Sequence, residues 1–519
     1  SPPPRPPASP LLPASPLLPA SPLFFPDCSP FAAAAAAAHT PAIMVFGVDL
    51  LTLVGYFSAA VVVAAVSTLL WLRSEPKVTI HPVSDVSDDR VCKQGFTAKK
   101  VPNDIDTIVI GSGVGGLTTA ALLAKQGQRV VVLEQHTMAG GNTHVFEDHG
   151  FEFDTGLHYI GKVGKKEQPA RRLWDYITDN GVDWSRMDEV FDRAIRTETG
   201  EAPRDEFPVN ADIRLTIKQL KEKFPNETAA IDEFFRLVRV SGKQSMLLIV
   251  LSKILPSSVV GLFGKLMPEG AKLITQTTKE VLDSLTDDDA LKGILSYSYG
   301  DFGEPPERAC FVSQACIWGH YTTGAFYPVG GPGVIPQHMV RVIEKYGGGR
   351  VFVRAPVTSI VVENGRAVGV EVKGKHVVRA RNIVSSVGAP LTFNRLVPEN
   401  LREPLVSKEI AALKDDSVAT HMSLMSMFVG FEGDAEELQL PRGNLWIFPS
   451  WDHDTALKAF LDDPVDAPIP AAFASFSSVK DPTYHERHPG KQTALVIGPS
   501  FYDHVAKFKD SSVGKRGAE

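Results

Sequence analysis

The chain has 519 residues, 53 Lys+Arg against 60 Asp+Glu for a net charge of −7, 44% hydrophobic residues, 42 Gly, 39 Pro and four Cys. That length allows about three domains or two large interwoven ones and excludes small disulfide-stapled and collagen-like classes. The acidic balance, without a basic stripe, argues against nucleic acid as a partner, and Cys28, Cys92, Cys310 and Cys316 have neither CxxC nor metal-ligand spacing, so no metal site is expected.

Residues 1–43 read as low-complexity and disordered: Pro-Ala-Ser-Pro-Leu-Leu at 7–12 and 13–18 returns as Pro-Ala-Ser-Pro-Leu-Phe at 19–24, followed by an alanine run. The first methionine is Met44, which predicts the natural start there; a targeting extension is the competing reading. Residues 44–73 form an expected membrane anchor. Leu50–Leu72 carries no charge and as helix is long enough for a bilayer core of roughly 30 Å, with a buried soluble helix as the bland alternative. Basic residues after it, Arg73 and Lys77 onward, place the main body on the cytosolic side.

Residues 74–103 read as a polar linker, which leaves Cys28 and Cys92 outside the folded core. Ile105–Ile110 is then a β-rich run, Gly111–Gly116 a glycine turn, Leu117–Gln126 a small-residue helix and Val130–Leu133 a second buried strand, together one βαβ unit. Residues 104–165 form the first part of a dinucleotide-binding domain. Residues 166–330 form the first part of a substrate domain, expected to be mostly helical up to about 300, with Leu215, Leu220, Phe224, Ile231, Phe234, Phe235 and Val238 at helical spacing. Met246–Met267, interrupted by Lys253, Pro256 and Lys265, reads as core, with a membrane-interfacial segment as its rival.

Residues 331–390 return to the first domain. A helix follows Gly333, with Pro336 in its first turn and Met339, Val342 and Ile343 on one face. Strand-like runs at 350–354, 357–363, 367–373, 376–380 and 383–386 form a β-meander and a return strand, with Asn364-Gly365 as the hairpin signal. Residues 391–519 form the second part of the substrate domain.

Gly111, Gly113 and Gly116 make G-x-G-x-x-G between a strand and a helix, where they permit the tight turn, the approach of a pyrophosphate and close helix–strand packing. Glu134, 23 positions after Gly111, ends the second strand, where a carboxylate accepts ribose hydroxyls and disfavours a 2′-phosphate. The choice lies between FAD and NAD, and Gly140-Gly141 beyond the acid favours FAD. No second such fingerprint follows, and Cys310 and Cys316 read as two buried thiols rather than a redox pair.

The run from Asp106 to Gly161, above all LEQHTMAGG and FDTGLHYIG, resembles the carotenoid and retinoid oxidoreductase family of FAD flavoproteins. The resemblance continues through SYSYGDFGEPP at 296–306, GHYTTGAFYPVGG at 319–331 and KDPTYHERHPGK at 480–491. It implies an α/β fold for residues 104–519, a Rossmann-like FAD-binding domain with a β-meander interwoven with an α+β substrate domain; the anchor read from Leu50–Leu72 precedes it as an N-terminal transmembrane helix. It also implies that Gly111, Gly113, Gly116, Glu134, Gly140, Gly141 and Val357 hold FAD, Val357 on the adenine side. Two departures stand out. Asn142-Thr143 occupies the place of a Cys-Cys pair, and the family's closing glycine-rich segment with a Gly-Gln or Gly-Asp pair is not found before Glu519, so the substrate domain reads as incomplete.

By this resemblance the chain is expected to reduce one C=C bond of a retinoid or related polyene, as in the conversion of all-trans-retinol to 13,14-dihydroretinol. NAD(P)H is the candidate electron donor, and the expected place is the endoplasmic reticulum membrane or alternatively a plastid membrane. The alternatives are a carotenoid isomerase or desaturase and a non-catalytic membrane protein that binds flavin or lipid. His158 and Tyr159, which follow the cofactor loop, are the candidate catalytic proton donors, set against the reading that they satisfy buried backbone groups. Asp154 orients the turn or acts in catalysis, and His320, Tyr321, Phe326 and Tyr327 wall an apolar tunnel or are ordinary core aromatics.

Overall fold

The computed structural model describes residues 89–197, 204–402 and 422–501. The low-complexity stretch 1–43, the anchor at 44–73 and the end of the chain beyond 501 lie outside the described residues. Among the described residues no helix is long and apolar enough to cross a membrane.

The runs Thr-Ile-Val-Ile and Val-Val-Val-Leu form strands Thr107–Ile110 and Val130–Leu133, buried along their whole length as strands of a covered parallel sheet are. They sit at the centre of a four-stranded parallel sheet, in the order Arg350–Phe352, Val130–Leu133, Thr107–Ile110, Asn382–Ser385. Helix Val114–Lys125 is so rich in Ala and Gly that helix Val334–Gly347 packs closely on it, with Met339, Val342 and Ile343 fully buried against Leu117, Ala120 and Ala121. The meander is shorter than the strand-like runs suggest. Val357–Glu363, Arg366–Val372 and His376–Arg379 form it, while Arg350–Phe352 pairs in parallel with Val130–Leu133. Asn364 and Gly365 both have positive φ, 51° and 73°, as the two-residue hairpin turn requires.

The second sheet has six strands, in the order Met422–Glu432, Lys491–Phe501, Ala472–Ser475, Asn444–Phe448, Val190–Arg196, Asp205–Asn210. Its last two strands, with Trp184–Arg186, interrupt a stretch up to residue 300 that is otherwise mostly helical, as expected. In Val190–Arg196 Phe191, Asp192, Ala194 and Ile195 are buried while Arg193 pairs across the hairpin with Glu206 at 3.3 Å; the strand is set by pairing on both sides rather than by a two-residue alternation. Helices Ile213–Lys223 and Thr228–Val240 follow, and they bury Leu220, Ile231, Phe234, Phe235 and Val238 as the periodicity predicts. Phe234 and Phe235 meet Trp318 edge-on, which ties these helices to Phe311–His320.

Three expectations are corrected by packing. Residues 89–101 are not a free linker: Phe96 N–H donates to the Val353 carbonyl at 3.0 Å, Val353 N–H to Gln94 at 2.8 Å and Ala139 N–H to Cys92 at 2.9 Å. Cys92 is therefore core, and burial pushes its thiol up to about 12. Cys310 and Cys316 are the reverse case, since Cys310 is half-buried and Cys316 exposed. Met246–Met267 is only partly core. A break at Pro256 divides it into helices Met246–Ser252 and Ser257–Leu266, which bury Leu248 and Val260 but leave Leu247, Val250, Ile254, Leu262 and Leu266 exposed.

Candidate functional site

The glycine turn is tight and open on one side. Gly111 has φ +94°, and a Cβ on Gly116 would stand 2.2 Å from the Gly111 carbonyl oxygen, so only glycine lets the helix start this close to the strand. Gly113 is the N-cap of helix Val114–Lys125 and has no side-chain cap, so the first-turn N–H groups have no capping acceptor. A Cβ on Gly113 would meet nothing within 4 Å on this side, which is the open volume a pyrophosphate needs. The second glycine loop lies against the first: a Cβ on Gly141 would stand 2.8 Å from Gly113 Cα, and Gly140 N–H donates to the Ser112 carbonyl at 3.2 Å.

Glu134 closes this cradle. Its carboxylate accepts from Ser112 N–H at 2.8 Å, Ser112 Oγ at 2.7 Å and His136 N–H at 2.8 Å. Three of roughly four acceptor positions are thus used to fix the carboxylate, and one remains for a ligand hydroxyl. Ala355 N–H donates to the Glu134 carbonyl at 2.7 Å, which brings the start of the meander, and Val357 two residues on, to the end of the same strand. The structure thereby places all seven residues read as cofactor-binding around two adjoining loops and one strand end.

The chain leaves this cradle through strand Phe151–Asp154. Asp154 is buried and accepts from both Tyr327 Oη, at 2.7 and 2.9 Å, and Ser477 Oγ. It anchors the turn that carries Thr155, Gly156, His158 and Tyr159. These four residues, with Asn142 of the glycine loop, line one end of a cavity of about 650 Å³. Its walls are Tyr299, Tyr321, Trp446 and Phe473, and it continues past Met422, Leu424, Leu457 and Ile497. Of the residues expected to wall a tunnel, only Tyr321 does so. Phe326 and Tyr327 are packed in the core, and His320 turns Nε2 to the Gly161 N–H at 2.8 Å. Burial and the charge of Lys162 hold the His320 imidazole down at about 4, a neutral backbone acceptor.

Tyr159 stacks between Tyr321, at 4.8 Å between ring centroids, and Phe473 at 6.1 Å. Its hydroxyl donates not to backbone but to the buried Asp192 carboxylate at 3.1 Å. His158 lies in the same wall, with Nδ1 3.7 Å from Asp154 Oδ2 and without a hydrogen-bond partner.

Beneath this wall runs a polar network of residues that sequence reasoning had not singled out. Asp192 also accepts from Tyr297 Oη at 3.0 Å and Asn444 Nδ2 at 2.8 Å. Asn444 Oδ1 accepts in turn from Lys480 Nζ, which also donates to Ser475 Oγ at 2.6 Å and the His158 carbonyl at 3.1 Å. All three ammonium donors are used. Burial pushes Asp192 up to about 6 and Lys480 down to about 7. The signal in the sequence was slight: Lys480 opens the KDPTYHERHPGK run, whereas Asp192 and Asn444 belong to strands paired across some 250 residues.

The model of flavin containing amine oxidoreductases matches residues 114–446. An all-trans-retinol 13,14-reductase of Macaca fascicularis is 37% identical over 443 residues, 83% of this chain and 71% of that protein. An inactive all-trans-retinol 13,14-reductase of Danio rerio is 31% identical over 464 residues, 85% of this chain and 74% of that protein. The crystal structure of an oxidoreductase from Methanosarcina mazei shares the fold, with a TM-score of 0.50 and 16% identity over 78% of this chain and 81% of its own.

Proposed function

Because the chain belongs to the flavin containing amine oxidoreductase family, we propose that this FAD-dependent oxidoreductase adds two hydrogens across one C=C bond of a retinoid or related polyene. The observation that carries the reading is the cavity whose lining runs from the glycine loop, at Asn142, Thr155 and Gly156, into a wall of aromatic and aliphatic side chains. A pocket of this size and lining suits a small apolar ligand, and the relative from Macaca fascicularis, by its name, acts on a retinoid.

In this reading Gly111, Gly113, Gly116, Gly140 and Gly141 hold the pyrophosphate of FAD, Glu134 the ribose, and Val357 the adenine side. Bound FAD supplies the two-electron hydride chemistry. The chain's own residues position the reacting partners. Tyr159, Tyr321 and Phe473 present flat faces to a conjugated chain, and Asp154, through Tyr327 and Ser477, holds the turn that brings His158 and Tyr159 beside the cofactor loop. The electron donor in this reading is an external reductant of the NAD(P)H class.

An apolar substrate reaches such a cavity from lipid. Leu247, Val250, Ile254, Leu262 and Leu266, with exposed Lys253 and Lys265 among them, form a surface suited to the boundary of a bilayer. The test is anaerobic incubation of the protein, FAD and reductant with retinol and with cis-carotenes, followed by product masses. A gain of two hydrogens supports the reading. An isomer of unchanged mass selects an isomerase, a loss of two hydrogens a desaturase, and no conversion a non-catalytic flavin or lipid binder.

A further inference from the structure

Reducing a C=C bond with a hydride also demands a proton for the adjoining carbon, and Tyr159, one of the two residues read as its source, is poorly suited to give one. The Tyr159 hydroxyl points its hydrogen at Asp192 rather than into the cavity, and burial beside Asp192 raises its phenol well above 10. Another residue of the cavity lining has no such commitment. Asp301 lies in its lining, keeps exposed surface there, and among the described residues has no hydrogen-bond or ion-pair partner for its carboxyl.

Its mount is rigid. Asp301 ends the short helical turn Tyr297–Asp301, which is fixed on three sides. Tyr297 Oη donates to Asp192, Tyr299 is buried with its ring 6.2 Å from Phe448, and a Cβ on Gly300 would stand 2.8 Å from the Trp446 ring. A carboxyl mounted this firmly in the lining of a cavity that also presents Tyr159, Tyr321, Trp446 and Phe473 has the placement a general acid needs. The charged and titratable groups around it are Asp192, Tyr159, Tyr297 and Tyr321. None is a cation; although the Asp301 residue stays partly exposed, desolvation by the atoms packed around its carboxyl together with the Asp192 charge raises it toward about 8, which favours the protonated form near neutral pH.

We propose that Asp301 is the proton donor of the reaction, a catalytic acid that delivers its hydrogen to one alkene carbon of the polyene held in this cavity. The inference rests on the reading of the protein as a C=C reductase. In the step, the Asp301 O–H bond breaks and a C–H bond forms at one carbon, while the neighbouring carbon receives a hydride, with both electrons, from the reduced flavin. The alkene gains two electrons and two hydrogens, the flavin is oxidised by two electrons, and the Asp301 carboxylate regains a proton from solvent. The flavin is reduced again by the external NAD(P)H-class donor.

Two measurements on the full chain test this. A hydrophobic carbodiimide adds to protonated carboxyls, so peptide mass mapping should find Asp301 labelled at pH 7, protected by retinol, and progressively unlabelled as the pH rises past about 8. Independently, the rate of dihydro-product formation with reductant should fall by about 10²–10⁴-fold in Asp301→Asn, the usual worth of a general acid. Flavin content and retinol binding should be unchanged in that variant, and Asp301→Glu should recover part of the rate. Asp301 unlabelled at pH 7, or an Asp301→Asn rate within a few-fold of wild type, overturns the inference while the reductase reading stands. A wild-type protein that reduces no polyene overturns that reading, and this inference with it.

Discussion

Replacing Lys480 by methionine removes an ammonium from a site that is only 1% exposed while keeping most of the side-chain length. The size of the effect follows from proton linkage. Burial lowers Lys480 from 10.5 to about 7 in the folded protein. The unfolded chain therefore binds the extra proton throughout that window and the folded chain does not, so wild-type stability rises with pH across it. At about 1.36 kcal/mol per pH unit, the two units between pH 7 and pH 9 are worth about 2–3 kcal/mol. Lys480→Met has no such term. At pH 6 its sign is set by opposing effects: relief of a desolvated charge, against buried acceptors on Asn444, Ser475 and His158 that lose their donor at about 1–3 kcal/mol each. The pH slope separates the two. Urea unfolding of wild type and variant at pH 6, 7.5 and 9 should show wild type gaining about 2–3 kcal/mol on the variant between pH 6 and pH 9. Asp301, which Lys480 does not perturb, titrates in both proteins and cancels in the comparison, whereas Asp192 loses the lowering effect of the Lys480 charge in the variant. A gap constant to within about 0.5 kcal/mol would refute the account of Lys480 as a desolvated ammonium held by its network.

Gly113→Val and Gly116→Val should fail differently. At Gly113 the side chain enters open volume, so the protein should keep its melting temperature without FAD yet purify colourless; at Gly116 it strikes the Gly111 carbonyl, so the melt itself should collapse. Equal melts for the two would contradict the assigned packing. Glu134→Ala frees Ser112 and His136 as well as removing the ribose acceptor, and should weaken FAD binding at least about tenfold in a flavin titration. Ile254→Glu with Leu266→Glu should leave the melt unchanged, since both side chains are exposed, but reduce co-flotation with anionic lipid vesicles; unaltered flotation would place membrane contact elsewhere.

The cofactor cradle is legible in the sequence because its parts are local. A strand, three glycines at fixed spacing, a helix and an acid 23 residues on all obey backbone geometry within one βαβ unit, and the same locality made Asn364-Gly365 a hairpin and Met339, Val342 and Ile343 a buried face. The substrate side obeys no such rule. Val190–Arg196 becomes a strand only because Asn444–Phe448 and Asp205–Asn210 pair on either side of it, and Cys92 is core only because residues 89–101 dock on Val353 and Ala139. The apolar run at 246–267 is divided between core and surface by a break at Pro256 that hydropathy alone cannot orient. Local spacing thus fixes where the glycine turn forms. Tertiary packing brings Asp192, Asn444 and Lys480 under Tyr159 and leaves Asp301 unpaired in the same wall, because buried charges choose their partners through space once the sheet has closed.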